Sequence, residues 1–178
     1  MNKRVNKRIS WYGFWVAVLV LGHAGFAYAE KIAFVNVGKV FDEYEKTKEK
    51  DKELTGEGEK KQSERESQVQ EIRRLRDELA LLSDKSKDEK QLMIDEKLKQ
   101  LQDFDTGARR ELQTKRDQHL REILKDIDDV IREIGKKGGY DYVFNERALL
   151  YHNDKFDITA DVLKEMNSRY RSGAKTRQ

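Results

Sequence analysis

The sequence contains no cysteine and no proline, and each absence removes a class of protein. Without cysteine there is no disulfide framework, so stability has to come from packing or from association of copies. With 40% of its residues charged and only 9% aromatic, the chain has the balance that usually signals disorder. The missing proline argues the other way, because disordered linkers are proline-rich whereas long helices exclude proline from their interiors. A composition heavy in Glu, Lys, Arg and Leu is that of long helices or coiled coils. Long hydrophobic runs are missing too. The one apolar run, Trp11 to Leu21, ends at Gly22-His23 and falls short of the roughly 20 residues a spanning helix needs.

That run belongs to a segment with its own logic. MNKRVNKR is basic, WYGFWVAVLVL is apolar, and Ala27-Tyr28-Ala29 closes it. Basic start, short apolar centre and A-x-A ending describe a secretory signal peptide over 1–29, cleaved after Ala29, with Ala27 as the other small cleavage-site residue. No cysteine follows, which excludes lipoprotein processing. Removing Lys3, Arg4, Lys7 and Arg8 leaves 33 basic residues against 34 acidic ones. The exported chain is therefore near neutral, and the electrostatic case for nucleic-acid binding goes with those four residues.

Catalysis has little support. Beyond residue 29 there are two histidines, His119 and His152, and no G-x-S-x-G, phosphate-loop or zinc spacing. Neither a catalytic residue, a metal site nor a cofactor is expected.

KIAFVNVGKVF (31–41) opens the exported chain with Ile32, Phe34, Val35 and Val37, a strand of about six residues ended by Gly38. From Val40 the pattern is helical, predicting one helix over 41–82. Within it, residues 45–68 hold 15 charged residues and one large apolar one, Leu54, so this half has almost nothing to bury. Gly56 and Gly58 each weaken the helix by roughly 1 kcal/mol relative to alanine and read as a flex point. Apolar residues return at Val69, Ile72, Leu75, Leu79 and Leu82, in steps of three and four. SDKSKDEK (83–90) breaks the stripe, with Ser86 or Asp88 as caps for the next helix. The stripe resumes at Ile94, Leu98, Leu101 and Phe104 and runs to Ile134, so the two helices form an antiparallel hairpin. GKKGG (135–139) ends the second helix. Strands at 140–145 and 148–152 follow, then a helix capped by Asp157 or Thr159 with Ile158 and Val162 on its apolar face.

The fold class is thus α+β, mostly α. A small strand body (30–44 and 135–170) carries a helical arm (45–134, tip near 83–90) inserted between the first and second strands, and 171–178 is a frayed basic tail. The body residues are Ile32, Phe34, Val35, Val37, Tyr142, Phe144, Leu149, Tyr151, Ile158 and Val162. A core this small is uncomfortable alone, so association through the sheet is expected.

KIAFVNVGKVF, the proline-free hairpin, YDYVFNERALLYH and DITADVLKEMN together resemble the Skp (OmpH) family of periplasmic chaperones across the whole exported chain. The resemblance implies a homotrimer built on a β-body, with three arms around a cavity. There unfolded outer-membrane proteins are held without ATP. Candidate client contacts on the arm are Val69, Ile72, Leu75, Leu79, Leu98, Leu101 and Phe104, although the same residues could instead seal the arm's two helices together. A cationic patch proposed in the family to bind lipopolysaccharide would correspond to Lys115, with Arg116 beside it and Arg109-Arg110 earlier. The near-neutral charge, and Phe104 and Asp126 nearby, favour a solvated face over such an anionic lipid surface. An exported coiled-coil adaptor of an envelope machine is the alternative reading.

Overall fold

The computed structural model describes residues 30–175; the signal segment, with Ala27 and Ala29, lies outside them. Two four-residue strands, β1 (Ile32–Val35) and β2 (Tyr142–Asn145), pair in parallel, with Ile32 opposite Tyr142 and Val35 opposite Asn145. Parallel strands need a long crossover. Here the crossover is the arm itself.

Alternation across the pair separates its two faces. Ala33 and Val35 point into the core with Val143 against it, and Ile32, Phe34, Tyr142 and Phe144 take the other face. The core adds Val40, Tyr44, Ile123, Ile127, Val130, Ile158, Val162 and Met166, drawn from every helix that reaches the body.

Val37, expected in the strand, instead starts helix α1 (Val37–Glu43). Asn36 ends the strand because its side-chain oxygen accepts from the Lys39 N–H at 2.7 Å, a helix cap. Tyr44 then takes an extended conformation (φ −64°, ψ 128°), so the helix expected over 41–82 is two helices, α1 and α2 (Glu45–Leu79). The turn is also shorter than expected. Extended Ser83 leads straight into α3 (Asp84–Gly138), and Ser86 and Asp88, expected as caps, lie inside that helix. At 1.5 Å per residue α2 is about 50 Å long and α3 about 80 Å.

Gly139, in the left-handed region at φ 63°, ends α3 and donates to Gly135 and Lys136 carbonyls, as GKKGG implies. The strand expected at 148–152 is absent from the single chain. The Asn145 carboxamide instead caps a short 3₁₀ turn (Glu146–Ala148), and beyond it Leu150 and Tyr151 are 108% and 85% exposed. A strand needs a ladder partner, and none reaches this segment. Helix α4 spans Thr159–Lys175, with the Asp157 carboxylate accepting from Thr159 N–H at 2.8 Å. The tail expected to fray from 171 therefore continues the helix, and Arg171 pairs with Glu45.

Candidate functional site

Two surfaces stand out: the seam of the arm and the outer face of the sheet.

The charged half of α2 is held by rungs of ion pairs to α3. Glu57, Lys61 and Arg65, one turn apart on α2, meet Lys115 at 2.6 Å, Glu111 at 3.1 Å and Asp105 at 3.0 Å. Toward the tip Glu71 meets Lys97 at 3.0 Å and Glu78 meets Lys90 at 2.7 Å; at the base Lys46 bridges Glu122 and Asp126. Each exposed pair contributes only about 0.2–1 kcal/mol, so the arm is zipped without being locked. The partners run in antiparallel order, with Glu57, Lys61 and Arg65 four apart on α2 and Lys115, Glu111 and Asp105 four and then six apart on α3. Which charge meets which is set by the register of two helices 40 to 58 residues apart in the chain, and that register is not a local property.

Hydrogen bonds from Lys90, Lys61 and Lys46 hold the Glu78, Glu111 and Glu122 carboxyls below their ordinary 4.5. A carboxylate with a depressed pKa contributes stability above its unfolded value and loses it as pH falls. The arm is therefore expected to hold its structure above pH 4.5 and to loosen below it, before the apolar core around Val162 does. The Glu133 carboxyl, held at about 2 by Lys137 and Arg169, ties α3 to α4 and loosens by the same linkage. Hydrogen exchange at several pH values, comparing arm amides with body amides, measures this; uniform loss across both would contradict it.

Gly56 and Gly58 lie along the polar half, and a Cβ at either would meet open space. Close packing thus does not require them. Replacing both by alanine is expected to stabilise α2 by roughly 1 kcal/mol per site, seen as slower amide exchange over residues 52–62.

Nearer the tip the seam is apolar: Ile72, Leu75 and Ile94 are buried, with Leu79 and Leu101 packed on them. These candidate client residues are occupied in holding the two helices together. Val69 and Phe104 are half-buried, and Leu98 is exposed. The structure adds large exposed apolar residues not singled out in the sequence: Leu81, Leu92 and Met93 around the tip, and Leu120 and Leu124 one turn apart near the base. Of the four basic candidates, Lys115 is engaged by Glu57 and Glu111, while Arg109, Arg110 and Arg116 are exposed.

On the sheet, Val35, Ile158 and Val162 are buried in the chain's own core, and Val37 and Leu149 are half-buried. Phe34 is covered by the His152 ring, centroids 4.0 Å apart. Ile32, Tyr142 and Phe144 remain 40–49% exposed on one face, with Tyr151 beyond them. One flank of β1 is taken by β2; on the other its Phe34 carbonyl accepts from Ile158 N–H. The outer edge of β2 has no strand partner among the described residues. An apolar sheet face beside an open edge is a surface built to be covered.

Among the described residues no three His, Asp or Glu side chains are placed to hold a metal ion, and no helix is long and apolar enough to cross a membrane.

Residues 31–166 match the family model described as outer membrane protein (OmpH-like). The chain belongs to this family. Among its relatives, a protein named chaperone protein Skp from Yersinia enterocolitica is 31% identical over 158 residues, covering 83% of this chain and 93% of the relative. Another of that name from Pectobacterium atrosepticum is 33% identical over 147 residues, 78% of this chain and 86% of the relative. The crystal structure of an OmpH-like protein from Caulobacter crescentus, described as an outer membrane chaperone, shares the fold. Its TM-score is 0.74 at 12% identity, over 79% of this chain and 86% of that one. The OmpH-like match takes in both strands, the whole arm and the start of α4, so body and arm belong to one family unit.

Proposed function

We propose that this OmpH-like chain is an exported, ATP-independent holdase. Three copies associate through the β1–β2 sheet in the periplasm, and their arms enclose unfolded outer-membrane proteins and keep them from aggregating. The observation that carries the reading is the pairing of a polar-zipped arm with an apolar sheet face that a single chain leaves open. Relatives named chaperone protein Skp support it.

The arm's largest described groove, about 600 Å³ beside Leu98 and Arg109, is open to solvent, and the reading does not need an enclosed pocket. Exposed Leu81, Leu92, Met93, Leu98, Leu120 and Leu124 offer separated apolar contacts on a charged surface. Each contact is weak and exchangeable, and several acting together on one tethered chain multiply. Such a surface retains a client without committing it to one conformation. Exposed Arg109, Arg110 and Arg116 are the residues available to an anionic surface such as lipopolysaccharide.

The test is light scattering after a urea-unfolded outer-membrane β-barrel protein is diluted into buffer with the exported chain. Suppression that saturates at one trimer per client supports the cavity mechanism. Unchanged aggregation, with the protein folded and trimeric, overturns it and leaves the envelope adaptor as the reading.

A further inference from the structure

On the outgoing side of the arm the helical path from the body is broken at one residue, Tyr44, extended between α1 and α2 yet only 4% exposed, while α3 returns unbroken. A single non-helical residue between two helices is a natural pivot. Tyr44 offers α2 no side-chain cap, so the first N–H groups of α2 need partners from elsewhere. One comes from α4: the Glu45 N–H donates to Asn167 Oδ1 at 2.9 Å.

The same stretch of α4 makes three more contacts around the pivot. The Tyr170 ring meets the Tyr44 ring edge-on, centroids 5.9 Å apart. Its hydroxyl lies by the Glu49 carboxylate, one turn further along α2, and burial followed by that carboxylate pushes it up to about 12. The Arg171 guanidinium grips the Glu45 carboxylate, its Nε at 2.8 Å. From α3, Asp126 accepts from the Tyr44 hydroxyl at 3.4 Å and from Lys46 Nζ at 2.7 Å. A cleft of about 480 Å³ remains between the three helices, bordered by Tyr44, Lys46, Asp126, Met166, Tyr170 and Gly173.

The two ends of α4 have different jobs. Val162 and Met166, with Ile158 just before the first turn, anchor it in the body core. Asn167 and Arg171 reach past that core onto the first turn of the arm, and Tyr170 packs on the core's edge against Tyr44. We propose that this C-terminal half of α4 is a releasable clamp on the Tyr44 pivot, setting the angle at which the arm leaves the body. The Arg171–Glu45 ion pair is exposed and the Glu45–Asn167 bond part-buried, each individually weak, so their release leaves Val162 and Met166 in the core. Under the holdase reading, on which its functional meaning rests, the clamp governs how wide the arms stand and therefore the volume they enclose.

The chain's lack of cysteine makes the test clean. Lys60→Cys on α2 and Lys164→Cys on α4 carry a spin-label pair, and labelled chain is diluted into excess unlabelled chain so that distances are read within one copy. The parent is expected to give one narrow distance distribution. Arg171→Glu is expected to broaden it at least twofold with the melting temperature little changed, and adding Glu45→Arg to narrow it again. Asn167→Ala, which leaves the ion pair in place, is expected to broaden it partly. The control Lys125→Ala, which removes only a pair with Asp129 on its own helix, is expected to leave the width alone. Unchanged width in Arg171→Glu, no recovery in the charge swap, or equal broadening in the control overturns the clamp. Aggregation suppression by the parent is measured separately. A narrow parent distribution without suppression defeats the holdase reading and not the clamp.

Discussion

Val162→Asp is expected to abolish the folded body. Val162 is fully buried, in one cluster with Val35, Val40, Ile158 and Met166. No cation is in that cluster, so the new carboxylate enters an apolar site unpaired. An unpaired buried charge costs several kcal/mol even after relaxation, which is comparable to the 5–15 kcal/mol total stability of an ordinary domain. A body this small has less to lose. The expected result is no cooperative thermal transition by circular dichroism, and no association by sedimentation. Leu81→Asp is the matched control, since Leu81 is 87% exposed at the tip. It is expected to melt like the parent. A Val162→Asp protein with parental melting would mean that α4 does not seal the core.

The second large effect is expected at the sheet. Tyr142→Asp with Phe144→Asp places two carboxylates on the half-exposed face of β2, where a single chain tolerates them. If that face is covered in the assembly, each substitution costs roughly 1–3 kcal/mol of association. Together they weaken association by about a hundredfold or more. Sedimentation velocity is expected to show the trimer boundary replaced by smaller species, and aggregation suppression is expected to fall with it. Trimers that survive the double substitution would place the interface elsewhere. The exposed Leu150-Tyr151 segment is then the next surface to change.

These two predictions rest on different kinds of knowledge. That Val162 belongs to an apolar helix face is plain from its spacing with Ile158 and Met166, because helical periodicity is a local property. The hairpin, its glycine-terminated second helix and the crossover between strands are equally local, and the structure has all of them. The capping of α4 by Asp157 was legible for the same reason. Some local errors occurred where a competing cap won. The Asn36 side chain converted Val37 from strand to helix, and the extended backbone at Ser83, which forms no side-chain cap bond, placed the arm's turn earlier than the polar run suggested.

Other features were out of reach because they depend on a partner far along the chain. Segment 148–152 has strand composition, but a strand exists only where a ladder partner stands, and none is supplied by the single chain. Periodicity put Ile72 and Leu75 on an apolar face without saying what that face meets; their burial against Ile94 is a fact of two helices side by side. The stretch around Glu57, Lys61 and Arg65 looked unsupported because its partners lie some 40 to 58 residues away.

The sequence by itself determined a helical, proline-free arm set between two strands, since composition, periodicity and end signals act through neighbours in the chain. The tertiary structure alone decided which charges zip the arm, which apolar residues stay open, and that α4 grips the Tyr44 pivot. Those outcomes turn on distances between groups that only folding brings together.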